Sequence, residues 1–222
     1  MSRQSEVRAS SVSVANDRFR RSRDRGCDYL LRQLRPDGGF GPLERGVADY
    51  YKAPLALSVC GATAEAASLC DWIRRNGITA DGDFGPRMPE AIGYYYLYYN
   101  AWVVIGAHRQ GHFDLSRRGA DFLLTFRDPE GGGFYSSPTE RASTTPEDLW
   151  VVSGAGQALL YVGHIEAARG VGAWMQRLLE LQPNFPVDLY TVYSRAGGLH
   201  TTFAPADEIR FVAALTAAST TN

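Results

Sequence analysis

A short glycine phrase occurs four times in this chain of 222 residues. It reads Gly38-Gly39-Phe40-Gly41-Pro42, then Gly82-Asp83-Phe84-Gly85-Pro86, then Gly132-Gly133-Phe134-Tyr135, then Gly197-Gly198-Leu199-His200. An amphipathic run precedes each copy. A segment with acids or aromatics follows it, and then a mostly apolar run. Units that recur at this spacing cannot bury their apolar faces alone and do so by stacking. The repeat therefore predicts stacked helical hairpins, each joined through a glycine turn.

The runs before the phrases share a helical period. Cys27, Leu30, Leu31 and Leu34 stand at i, i+3, i+4 and i+7. Ala66, Leu69, Cys70 and Ile73 repeat the spacing, as do Val171, Trp174, Met175 and Leu178. Ala120, Leu123 and Leu124 begin it again, with Arg127 at the last place. One apolar stripe per helix means one wet face, so these helices are expected on the outside. The runs after the phrases, Leu55 to Gly61, Ala101 to Gly106 and Val151 to Val162, are apolar nearly all round, which places them inside. The stretch Gln182 to Arg195, with two prolines, reads as a long loop that lies over one mouth of the structure.

A composition of 45% hydrophobic and 21% charged residues suits a globular domain, and a net charge of −1 gives no basic face for nucleic acid. No apolar run is long enough to span a membrane. Residues 1–17 read as a basic, disordered arm, alternatively one that touches a partner or an anionic membrane, and 18–222 as one domain. Three cysteines without tight spacing argue against a disulfide framework and for a reducing, cytoplasmic location, with Cys27 and Cys70 as buried thiols.

The first copy, Arg25-Gly26-Cys27-Asp28-Tyr29-Leu30-Leu31-Arg32-Gln33 leading to Asp37-Gly38-Gly39-Phe40, is similar to the QW repeat of squalene–hopene cyclases. The second, ending Asp81-Gly82-Asp83-Phe84-Gly85, resembles it more loosely. On these residues the chain resembles the terpenoid cyclase and protein prenyltransferase superfamily, the α/α toroids. The resemblance implies an all-α fold, an incomplete α/α toroid of about four hairpins, outer helix, glycine turn, inner helix. A closed ring of that kind uses more helices than four phrases supply. The ring is then open, or the sequence ends early, or two copies form a homodimer that completes it. The last run, Ala213 to Asn222, reads as a helix that stops within its repeat.

In such a toroid the inner-helix starts surround one mouth of the cavity, where free N–H groups and the helix dipole point. The residues there are Asp49-Tyr50-Tyr51-Lys52, Tyr94-Tyr95-Tyr96, Glu147-Asp148-Leu149-Trp150 and Asp207-Glu208. Asp49, Asp148 and Asp207 fit two roles: helix caps, or acids converging on a cavity where desolvation keeps one protonated. Asp148, with Glu147 beside it and Trp150 after it, has the strongest case for catalysis. Tyr50, Tyr95, Tyr99, Trp102 and Trp150 read as core aromatics or as a wall that holds an apolar or cationic ligand. Asn100 reads as a buried structural amide or a ligand contact, and His200 as a residue facing the mouth. His108 and His112 read as helix-end residues, and no metal is expected.

The Asp-x-Asp-Asp motif of squalene–hopene-type cyclases and the Asp-x-Cys zinc element of protein prenyltransferases do not occur. No zinc or other cofactor is therefore expected. Three functions remain open. One is acid–base cyclisation, isomerisation or elimination (an isomerase or lyase) on a small, largely apolar terpenoid- or polyketide-like substrate. A second is a carbohydrate-active toroid, with Arg195, Asn100 and His200 among the aromatics. A third is a non-catalytic helical-repeat module.

Overall fold

The computed structural model describes residues 3–201; Asp207, Glu208 and the run Ala213 to Asn222 lie outside them. The chain is mostly helical, 56% helix against 7% strand. The helices are α1 (Arg3–Arg32), α2 (Val47–Tyr50), α3 (Ala53–Cys60), α4 (Thr63–Asn76), α5 (Tyr96–Arg109), α6 (Phe113–Leu124), α7 (Leu149–Val162) and α8 (Ile165–Glu180). Among the described residues no helix is long and apolar enough to cross a membrane.

Each glycine phrase folds into the same small hairpin. Leu34 bridges Phe40, Ile78 bridges Phe84 and Arg127 bridges Phe134, all antiparallel. The hydrogen bonds recur with them. Arg35 N–H donates to Gly39 O at 2.8 Å, Thr79 to Asp83 at 2.9 Å, and Asp128 to Gly133 at 2.9 Å. The fourth copy forms two short strands, β2 (Val192–Ser194) and β3 (Gly198–Leu199), with Tyr193 opposite Leu199. A third strand, β1 (Glu147–Asp148), pairs with β2 so that Glu147 faces Tyr193 and Asp148 faces Val192. This small sheet lies where the sequence predicts a helix start and a loop. Residues 182–191 do form a loop, closed at its neck by Gln182, whose amide exchanges hydrogen bonds with the Tyr190 backbone.

Gly38 and Gly132 show why the phrase needs glycine. Both have positive φ, 88° and 80°. A Cβ at either would also press on a helix backbone carbonyl, Ser68 O at 2.8 Å or Gly170 O at 2.9 Å. Each turn thus rests directly on the next long helix, α4 in one case and α8 in the other.

The chain divides into two compact units, Met1–Met88 with Trp102–Gly119, and Pro89–Ala101 with Ala120–Asn222. In the first, α1 packs on α3 and α3 on α4 around the fully buried Leu57, Leu69, Ile73 and Phe84. Each such side chain contributes about 1.5–3 kcal/mol by burial. Residues 16–26 of α1 are exposed throughout, and burial begins at Cys27. Cys27 is not a thiol, as the sequence reading had it, but is disulfide-bonded to Cys60 at the end of α3. Sequence spacing could not reveal this bond, because its partners lie 33 residues apart and meet only when α1 packs on α3. Cys70 is free and fully buried, and burial pushes its thiol up to about 12.

In the second unit α7 packs on α8 around Val151, Val152, Leu159 and Trp174. The all-round apolar pattern of α3 and α7 fails at their ends, where Val59, Leu160 and Tyr161 are exposed, and at the start of α7, where Trp150 is exposed. Met175, expected in the buried stripe of α8, is 40% exposed. The buried stripe there runs Ala167, Val171, Trp174, Leu178 instead.

Candidate functional site

Glu147 and Asp148 form β1 and lead into α7, and both are buried, at 1% and 2% exposure. The strand pairing sends their side chains to opposite sides, so two adjacent acids acquire two environments. Asp148 is the N-cap of α7. Its Oδ1 accepts the Trp150 N–H at 2.8 Å and its Oδ2 accepts the Thr191 hydroxyl at 3.2 Å. Burial raises its carboxyl to about 6, although these donors and the nearby Tyr94 pull the other way.

Glu147 is less well provided. One oxygen, Oε2, accepts the indole N–H of Trp174, while Oε1 is buried with no hydrogen-bond partner. Burial raises this carboxyl to about 7; Trp174 and Arg177 oppose the rise, and the carboxylate of Asp128 adds to it. Gly133 is what admits Glu147, because a Cβ at 133 would collide with Oε2 and with the Trp174 ring.

Asp128 is fully buried, at the start of the third turn. Burial pushes its carboxyl up, but the Glu130 N–H, the Arg195 guanidinium, the Gly131 N–H and the Tyr135 hydroxyl outweigh it and hold the group below its ordinary value. Arg195, in the β2–β3 hairpin, bonds Asp128 at 3.1 Å and Glu130 at 2.7 Å. Tyr135 is buried against both Asp128 and Arg195, and burial, then the Asp128 charge, raises its phenol. The result is a charged carboxylate fixed beside a carboxyl that is half-protonated near neutral pH. Such a pair can hand a proton to a ligand or take one from it.

Asp128, Tyr135 and Trp174 were not singled out by sequence. Asp128-Pro129-Glu130 reads as turn punctuation, and only alignment of the four phrases shows an acid at 128 where the first copy has Arg35. The remaining candidates fall elsewhere. Asp49, on α2 in the first unit, pairs with Arg45 at 3.0 Å. Tyr50 is fully buried, and its hydroxyl donates to Gly85 O at 2.8 Å and Gly77 O at 3.3 Å, a structural tie. Trp102 lies under the Lys52 ammonium at 5.2 Å in the same unit. Tyr95 and Tyr99 are half-buried in the second unit, where Tyr95 meets Tyr94 edge-on, and Asn100 is fully buried. Trp150 is 48% exposed, since its backbone and not its ring meets Asp148. His200 shares a 2.8 Å bond with Ser194. A cleft of about 390 Å³ in the first unit, lined by Arg35, Asp37, Glu65, Ser68, Asp71 and Arg75, holds none of these candidates. Among the described residues no group of side chains is arranged to hold a metal ion. Compared with family models, curated proteins and solved structures, the chain matches none.

Proposed function

We propose that the chain is an α/α-toroid-type protein of the terpenoid cyclase and prenyltransferase kind. In this reading its second unit moves a proton in cyclisation, isomerisation or elimination of a small, largely apolar molecule. One observation carries the chemistry: Glu147, buried, holds one carboxyl oxygen on Trp174, and the other finds no donor and lies beside Asp128. A group near pH 7 exchanges protons in both directions without a cofactor. Asp128, kept ionised by Arg195, favours the protonated form of Glu147 and stabilises positive charge that develops nearby. Asp148 fixes the strand that presents Glu147 and anchors it to α7. The recurring hairpin and its stacking on the following helix support the toroid reading. The disulfide weighs against the cytoplasmic location, because such bonds persist in oxidising compartments.

The test is native mass spectrometry of the protein and of Glu147→Gln, with each incubated against a panel of terpenoid- and polyketide-like molecules. Both should bind the same apolar molecule, and only the parent chain should convert it, with a rate that bends near pH 7. Conversion by the variant at the parent's rate removes Glu147 from the chemistry, and absence of any bound small molecule in either form removes the enzyme reading. One observation favours a non-catalytic repeat module instead, the exposure of Met175 and Leu179 on α8.

A further inference from the structure

The three long helices that follow a glycine cap share one register. In each, the residue after the glycine sends its N–H back to the preceding helix: Ala62 to Leu57 O, His112 to Ala107 O, His164 to Leu159 O, at 2.9–3.0 Å. Four, eight and eleven residues further on, α4 carries Ala66, Cys70 and Ile73, and α6 carries Ser116, Ala120 and Leu123. All six are at 0% exposure. On α4 the face is covered by the next hairpin, whose Asp114 and His112 are clamped by Arg74 at 2.9 and 2.7 Å. The same positions on α8 are Ala168, Gly172 and Met175, continued by Leu179. Here Ala168 is half-buried, Gly172 exposed, Met175 40% exposed and Leu179 48% exposed. A stripe that two sister helices bury completely stands open on the third.

We infer that this face of α8 docks against the same face of a second copy of the chain, antiparallel about a two-fold axis. The stripe is self-complementary. Its small residues, Ala168 and Gly172, occupy the first half and its large ones, Met175 and Leu179, the second. Reversal of one copy seats Met175 over the partner's Gly172 and Leu179 over the partner's Ala168, the interdigitation that a two-fold interface requires. Charge agrees with shape. Arg169, which bonds Glu166 on its own helix at 2.9 Å, and Glu180, which accepts from Gln176 at 2.8 Å, are both exposed and flank the stripe at opposite ends, so the antiparallel arrangement lets each Arg169 exchange Glu166 for the partner's Glu180. The loop after α8 exposes further apolar side chains, Phe185, Val187 and Leu189 at 57%, 76% and 52%.

Sedimentation equilibrium of the full chain tests this, together with the rate of Met175 oxidation. The expected mass is that of two copies, with Met175 protected and the protection lost on dilution. Met175→Glu with Leu179→Glu should weaken the association by about a hundred-fold, as loss of central interface contacts does. Arg169→Glu alone should weaken it several-fold, and adding Glu180→Arg should restore it, which a merely misfolded variant would not do. A single-copy mass at all concentrations overturns the proposal. In that case a protected Met175 identifies the chain's own residues 202–222 as the cover, and a freely oxidised one identifies a bare face. A dimer indifferent to all four substitutions also overturns it.

Discussion

Trp72 on α4 and Trp174 on α8 hold equivalent places, each with its indole nitrogen against the second glycine of a phrase, Gly39 in one case and Gly133 in the other. Around Trp72 the neighbour is a cation. Arg35 stacks over the ring at 5.4 Å and bonds Asp37 at 2.8 Å, in the open. The Arg35 guanidinium and the Gly39 N–H hold the Asp37 carboxyl down at about 2. Around Trp174 the residue aligned with Arg35 is Asp128, and Glu147 arrives from β1 to fill the space above the glycine. That carboxyl sits at about 7. Both turns close with the same bridge and the same hydrogen bond, although the third carries one residue more. Both indoles face a carboxylate, Asp37 in one case and Glu147 in the other; what differs is whether a guanidinium bonds that carboxylate, as Arg35 bonds Asp37, and whether water reaches it, and those two variables separate a surface ion pair from a poised acid.

The units also differ in how they are tied, and the largest expected effect tests that. The Cys27–Cys60 bond closes a loop of 33 residues in the first unit, and no second disulfide occurs among the described residues. Loop-closure entropy gives it about 3–4 kcal/mol. Reduction, or Cys27→Ser with Cys60→Ser, should lower the urea midpoint and strip hydrogen-exchange protection from the buried end of α1 and from α3. If those amides exchange as before, packing alone holds α1.

Alanine at the two aligned glycines measures the contrast directly. At Gly133 a Cβ meets Glu147 Oε2 and, at 2.6 Å, Trp174 Nε1, both locked in the interior. At Gly39 it meets the tip of Arg35, which is free to swing into water, and Trp72 Nε1 at 2.9 Å. Gly133→Ala should therefore cost about 3 kcal/mol and Gly39→Ala about 1 kcal/mol in denaturant unfolding. Equal losses would mean that the slot above Trp174 yields as easily as the one above Trp72.

Much of the scaffold was legible because glycine and periodicity are local signals. The phrases marked four hairpins, and the stripe Ala66, Leu69, Cys70, Ile73 is buried as its spacing demands. Glu147 and Asp148 were legible as acids at the start of an apolar run. Asp128 was not, since its burial depends on Arg195, 67 residues away, and on a hairpin that sequence read as a loop. Tyr50 was legible as an aromatic at a helix start, but its role as a tie to Gly77 and Gly85 depends on a contact between turns. Met175 was assigned to the wrong face because α8 carries two neighbouring apolar stripes and the period alone does not say which one packs on α7.

The effect of pH is the most specific. Glu147 has a folded pKa of about 7 against an ordinary 4.5, so the fold favours its neutral form. The stability this brings is fully present below pH 4.5 and is lost as pH rises towards 7, because there the unfolded chain has given up the proton that the folded chain retains. Asp148, at about 6 against 3.8, slopes the same way over a lower window. Asp37 and Asp114, both held near 2, slope the opposite way: their contribution is present above pH 4 and disappears as the solution is acidified through 2. The raised carboxyls, Glu147 and Asp148, and the lowered ones, Asp37 and Asp114, should thus contribute to the pH dependence with opposite signs. Glu147→Gln keeps an oxygen for Trp174 and removes the titration. It should raise stability at pH 8 by about 2 kcal/mol. It should also flatten the fall between pH 4.5 and 7, and leave both the Asp148 portion and the acid-side loss in place. Urea midpoints of parent and variant that run parallel across that window would mean that Glu147 is already charged in the fold, and the contrast with Asp37 would then be one of position and not of protonation.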